Sequence, residues 1–191
     1  MRSFWDWRFH RQERKTEIDP AAFSQDGYLI HQGRLGGISY GSKTSRETGC
    51  GWIACYNFLR FMGAEEPARE VAGQMERMLL WGGRIGSHPL AVWWYLHRRG
   101  YRFRLACTRR GMDRILGKAP ERTAGIIAYW HGRGAHYAAF IREAEGDRPG
   151  EEAGKLRFLN AVYGMENHRL TPEEFYRKHV RFPITMVLVD R

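Results

Sequence analysis

Cysteine is scarce in this chain, with three residues in 191. An odd, small number of thiols excludes a disulfide framework and suits a reducing compartment. Long apolar runs are missing as well. No stretch reaches the roughly 18 apolar residues that a membrane span requires, so no membrane partner is expected. The opening Met1-Arg2-Ser3-Phe4-Trp5-Asp6-Trp7-Arg8 turns charged where a secretory signal needs an apolar stretch, and the expected location is therefore the cytoplasm. Neither Cys-x-x-Cys nor His-Glu-x-x-His spacing occurs. His131 and His136 frame Gly132-Arg133-Gly134 but lack companions for a zinc site, so no metal and no cofactor are expected. Internal repeats and low-complexity segments are also absent.

Charge of one sign is in excess. Thirty-one basic and 21 acidic residues leave a formal charge of +10. The arginines are scattered in pairs, Arg98-Arg99 and Arg109-Arg110, with no continuous stripe and no zinc-finger or RNA-binding signature. This pattern reads as a solvated basic surface, and nucleic acid is not the expected partner. The apolar fraction of 43% and aromatic fraction of 14% suit a packed globular domain.

Two parts are read along the chain. Residues 1–35 form an N-terminal arm or extension, in which Phe4, Trp5, Trp7 and Phe9 alternate with polar residues. Residues 36–191 form the main domain. Gly33, Gly36, Gly37 and Gly41 mark a loop before a helix at Cys50, for which Thr48 is a candidate N-cap. A second helix starts near Pro67 and carries Val71, Met75, Met78 and Leu79. A third, capped by Ser87 with Pro89 in its first turn, has Leu90, Trp93, Trp94 and His97 on one side and stops at Gly100. Trp81 to Gly86 connects these two, with a lid as the alternative for Gly82 to Ser87. A short fourth helix contains Met112, Ile115 and Leu116.

The period then changes to strands: Tyr101–Ala106, Thr123–Trp130, Ala135–Ile141, Leu156–Val162 and Ile184–Val189. Glu143–Lys155 is a hairpin loop, and Thr171-Pro172-Glu173-Glu174 is a capping box for one more helix. Helices first and an antiparallel meander afterwards predict an α+β domain.

Three residues carry the chemistry. Cys50 stands between two glycines in Thr48-Gly49-Cys50-Gly51-Trp52 at a helix start, where unpaired amides and the helix dipole favour a thiolate. The glycines would let a substrate backbone approach the sulfur. His136 begins one strand and Asn160 lies on the next. Cysteine catalysis needs a base for the thiol proton and a group to orient that base, which Asn supplies through its side-chain carbonyl. Trp52 is a candidate for lining the cleft, with core packing as the alternative. Cys55 lies five residues on, about 140° around the helix, so it makes no pair with Cys50. Cys107 reads as a core residue.

Gly49-Cys50-Gly51 opening an apolar helix, Gly134-Ala135-His136-Tyr137-Ala138-Ala139-Phe140 and Leu156-Arg157-Phe158-Leu159-Asn160 together resemble the papain-like cysteine peptidase superfamily. They are most similar to its bacterial branch that includes the double-glycine leader peptidases. The resemblance covers roughly residues 38–164 in order and spacing. It implies a papain-like fold, with the Cys50 helix packed on an antiparallel sheet. It also implies Cys50 as nucleophile, His136 as general base and Asn160 as orienter. The expected function is a thiol-dependent hydrolase cleaving a peptide or amide bond of a peptide or protein substrate through an acyl-enzyme. The alternatives are a catalytically weak relative that binds peptide in the same cleft and an acyltransferase with the same triad. The chain departs from the family at one place. A Gln about six residues before the cysteine usually completes the oxyanion hole; here Thr44 occupies that place, so Thr44 and Ser45 are the oxyanion candidates, with an amide from elsewhere in the chain as the alternative.

Overall fold

The computed structural model describes residues 17–84, 86–142, 154–161 and 167–190. Phe4, Trp5, Trp7 and Phe9 of the expected arm, the acidic stretch 143–153, Ile85 and Val162 lie outside the described residues. The helical elements are α1 (Ser45–Thr48), α2 (Cys50–Phe61), α3 (Ala68–Glu76), α4 (Pro89–His97), α5 (Arg109–Gly117) and α6 (Pro172–His179). The strands are β1 (Ser39–Tyr40), β2 (Lys43–Thr44), β3 (Arg102–Ala106), β4 (Thr123–Trp130), β5 (Ala135–Arg142), β6 (Leu156–Leu159), β7 (Asn167–Leu170) and β8 (Phe182–Asp190). A β1–β2 hairpin precedes the helices, and β3 to β8 form a six-stranded sheet in the order β3-β8-β4-β5-β6-β7. Every pair in that sheet is antiparallel. The mixed helix and antiparallel-sheet class expected from the sequence is the one found.

The sheet separates two cores because alternate residues of a strand face opposite sides. Ala124, Ile126 and Ala128 of β4 and Tyr137, Ala139 and Ile141 of β5 pack with α2, α3 and α4. Ile127, Tyr129, Ala138, Phe140 and Phe158 pack on the other side with Met112 and Leu116 of α5 and Phe175 and Tyr176 of α6. The α2 helix is buried almost all round, from Gly51 to Leu59, as a central helix must be. Residues 17–35 add Ala22, Leu29 and Leu35 to the α2 core, so packing is continuous across residue 35. They are held by Asn57 in the middle of α2. Its amide accepts from Leu29 N and donates to Leu29 O, both at 2.8 Å. Arg157, buried on β6, adds a bidentate contact to Asp26, 3.0 Å at Nη2–Oδ1, with its guanidinium 4.9 Å from the Tyr28 ring centroid.

Several sequence expectations are corrected. The strand closing the chain does not complete a meander at the edge; β8 inserts between β3 and β4 and pairs with both. In α4 the buried face is Val92, Tyr95 and Leu96, while Leu90 and Trp94 are exposed. A helix apolar at nearly every position gives periodicity little to select a face by. His88, not Ser87, caps α4, with Nδ1 accepting from Leu90 N at 3.1 Å. Cys107 is exposed.

Candidate functional site

The site is built where the N-terminus of α2 meets the start of β5. The sequence needs two helices to get there. Thr44-Ser45-Arg46-Glu47 is a capping box: Thr44 N donates to Glu47 Oε2 at 3.0 Å, and the Thr44 side chain caps the turn in return. It starts the single-turn α1, and Gly49 then ends α1 and begins α2. Thr48 is therefore the last residue of α1, not the cap of the cysteine helix. The capping contact also commits the Thr44 hydroxyl, which lies 3.0 Å from the same Glu47 oxygen. Ser45 is fully buried, and its Oγ accepts from Trp52 Nε1 at 3.2 Å. The Thr44 hydroxyl lies at Glu47 and the Ser45 hydroxyl at Trp52, so both oxyanion candidates already hold contacts within the protein. Trp52 is likewise fully buried and lines no cleft, because its indole fills the angle between α1 and α2.

The two glycines around Cys50 are also explained from inside the molecule. A Cβ on Gly49 would lie 2.4 Å from Ser45 O and 2.7 Å from Trp52 Nε1. A Cβ on Gly51 would lie 2.8 Å from the Ser87 Cβ. They permit a tight helix junction and the close approach of the segment before α4, not a substrate backbone. That segment is tied down. The Tyr137 hydroxyl donates to Ser87 O at 2.9 Å, Tyr40 and Ser87 hydroxyls are 3.2 Å apart, and Leu79 bridges to Ser87. Trp81 at its tip is 77% exposed and has a left-handed backbone, φ 48°.

Cys50 is half-buried, and its thiol lies at the backbone amide of Tyr137, the residue after His136. Burial pushes the thiol up to about 11, against the opposing pull of the amides of Tyr137, Gly51 and Cys50 itself. The expectation of a lowered thiol pKa is thus reversed. The helix N-terminus acts in the predicted direction, but desolvation is the larger effect. Cys55, deeper in α2, is buried and its thiol is raised further.

His136 and Asn160 are brought together, by a different atom from the one expected. His136 Nε2 is 2.7 Å from the backbone carbonyl oxygen of Asn160. A carbonyl only accepts, so Nε2 carries the hydrogen and Nδ1 of the neutral ring holds the lone pair. The imidazole packs edge-on to the buried Tyr129 ring, with centroids 5.8 Å apart, and to His131 at 6.4 Å. Burial pulls its pKa down to about 4; the Asn160 bond opposes this and the nearby His131 adds to it. Asn160 has a left-handed backbone, φ 57°, a conformation asparagine tolerates better than most residues. Its side chain turns away from the histidine to Gln32.

Gln32 was missed by sequence reasoning. It opens the short 3-10 turn Gln32–Arg34, where the sequence has no periodic pattern, 128 residues from Asn160. Its side-chain amide lies well upstream of the window in which the family carries its Gln, and it bonds to protein groups. Among the described residues there is no cluster of three or more histidine, cysteine or acidic side chains able to hold a metal, and no helix long and apolar enough to cross a membrane.

Compared with protein-family models and with curated proteins, the sequence matches none. Among solved structures, the chain is similar to the peptidase domain of Streptococcus ComA, described as a bi-functional ABC transporter involved in a quorum sensing pathway. The likeness has a TM-score of 0.50 at 10% identity and covers 74% of this chain and 91% of that one. At that identity it speaks for the fold alone: the chain is built like a peptidase domain.

Proposed function

We propose that the protein is a thiol-dependent hydrolase of papain-like type that cleaves a peptide or amide bond through an acyl-enzyme on Cys50. The observation that carries this reading is the meeting of Cys50 with the β5 backbone at Tyr137, next in sequence to a histidine whose Nε2 is held by a carbonyl. With Nε2 occupied, Nδ1 is the nitrogen left to take the Cys50 proton. The sulfur attacks the substrate carbonyl, the protonated imidazole returns that proton to the departing amine, and water then resolves the thioester. The backbone amide of Cys50 at the helix start is the oxyanion donor in this scheme. Asn160 orients the base through its main chain.

Mixed peptide libraries incubated with the protein and read by mass spectrometry test the proposal. Defined cleavage is expected, lost in Cys50→Ala and reduced by orders of magnitude in His136→Ala. Cleavage unchanged in Cys50→Ala overturns it. One observation favours a second reading, a peptide-binding relative with little turnover. The resting thiol and imidazole are both neutral, with pKa values of about 11 and about 4. Burial favours the neutral form of each, so it opposes proton transfer between them. Under that reading, peptides bind to the wild type and to Cys50→Ala alike, and neither cleaves them.

A further inference from the structure

We propose that Gln32 is a positioning residue of the site, fixing the His136 imidazole through Asn160 and tying both to the helix that leads into Cys50. Four hydrogen bonds converge on this side chain and its own amide. Gln32 N donates to Asn160 Oδ1 at 3.2 Å, and Asn160 Nδ2 donates to Gln32 Oε1 at 3.0 Å. Gln32 Nε2 donates to Ser45 O at 3.1 Å and to Arg46 O at 3.0 Å, both in α1.

The two amides can adopt only this orientation. Gln32 N is a donor by necessity, so Asn160 must present its oxygen there and its nitrogen to Gln32 Oε1. Ser45 O and Arg46 O are acceptors by necessity, so Gln32 must present its nitrogen to them. The network is therefore closed and holds Asn160, which is 4% exposed, at both ends of its side chain. Asn160 is in turn the residue whose carbonyl fixes the His136 tautomer. One glutamine thus spans three pieces of chain: the sheet end bearing the histidine contact, the loop before β1, and the turn before the cysteine. The expected Asn-to-histidine side-chain contact is divided here between the Asn160 backbone, which touches the ring, and the Asn160 side chain, which is clamped.

The catalytic part of this inference rests on the peptidase reading; the tautomer part does not. The test is therefore run on the full chain with two readouts. Imidazole 15N NMR of wild type is expected to show His136 in a single neutral tautomer, protonated at Nε2. In Gln32→Leu the tautomers mix, while circular dichroism confirms the fold. Asn160→Gly keeps the left-handed backbone and the carbonyl but loses the clamp, and the same mixing is expected. Because Gln32 acts on the ring through Asn160, adding Gln32→Leu to Asn160→Gly mixes the tautomers no further. In the peptidase assay kcat falls about 10- to 100-fold with KM unchanged, the size expected for a misplaced catalytic group.

A single Nε2–H tautomer retained in a folded Gln32→Leu overturns the proposal, as does an Nδ1–H tautomer in the wild type. If both variants fail to fold, wild-type hydrogen exchange decides. Slow exchange of the Gln32 and Asn160 side-chain NH2 protons supports the clamp, and free exchange refutes it. If wild type cleaves nothing, the peptidase reading fails while the NMR arm still judges Gln32.

Discussion

The resting state of Cys50 sets a steep and measurable pH dependence. A thiol of ordinary pKa, about 8.5, is roughly one-quarter thiolate at pH 8. Cys50, pushed up to about 11 by burial, is then about one-thousandth thiolate. The thiolate is the species that alkylates, so the ionisation alone slows the reaction roughly 200-fold at pH 8 relative to an ordinary thiol. Burial also slows reagent access, by much the same factor at every pH, so the slope carries the test and the absolute rate does not. Iodoacetamide labelling followed by mass spectrometry from pH 6 to 10 should give a Cys50 rate rising tenfold per pH unit without a plateau. Cys107, exposed, and Cys55, buried, bracket the effect of access within the same protein. His136→Gln should leave the Cys50 profile unchanged, because a neutral imidazole contributes no charge to the resting thiol. A plateau below pH 8 that disappears in His136→Gln would mean a preformed thiolate–imidazolium pair. The reasoning from burial would then be refuted, and the hydrolase reading strengthened at the expense of the binder.

Three further outcomes are expected. Gly51→Ala places a methyl 2.8 Å from Ser87 Cβ, a contact that rotation of the serine hydroxyl cannot relieve. It should cost about 1–3 kcal/mol in chemical denaturation, partly recovered in the double variant with Ser87→Gly. Asn57→Ala strands Leu29 N and O without their partner and should cost about 2–4 kcal/mol, freeing residues 17–35 to protease before the rest unfolds. His136 is lowered to about 4, so the unfolded chain binds its proton below pH 6.5 while the folded chain does not. Stability from this residue is full above pH 6.5 and falls by up to about 3 kcal/mol as pH drops to 4; His136→Phe should flatten that limb in urea titrations at pH 7 and pH 4.5.

Legibility in the sequence followed the range of the interactions. The residues of β4 were readable to the residue because an apolar run ends at Trp130 and a glycine turn follows. The α6 capping box at Thr171 was readable because its signal is contained in four positions. The same signal at Thr44-Ser45-Arg46-Glu47 was equally available. Read as a cap, it would have revealed α1. Other features depend on partners distant in the chain. The burial of Trp52 requires the α1–α2 angle, and the place of β8 between β3 and β4 requires the whole sheet. The sign of the Cys50 shift requires knowing how deeply the thiol is packed, since the helix N-terminus and burial oppose each other.

The arrangement around Asn160 makes demands on its backbone as well as on its side chain. Asparagine at this position satisfies three demands together: a left-handed backbone, a carbonyl directed at His136, and a side chain with both a donor and an acceptor for Gln32. Aspartate tolerates the same backbone and keeps the carbonyl, but it sets a carboxylate oxygen against Gln32 Oε1. Glycine keeps the backbone and loses the clamp. Alanine is penalised by the positive φ as well. A side-chain orienter would accept aspartate readily, since a carboxylate supports a histidine at least as well as an amide does. Here aspartate should be worse than glycine for the order of Gln32, while both leave the carbonyl contact chemically available. The ranking of these three substitutions therefore separates main-chain orientation of the imidazole from the side-chain orientation that the sequence pattern suggests.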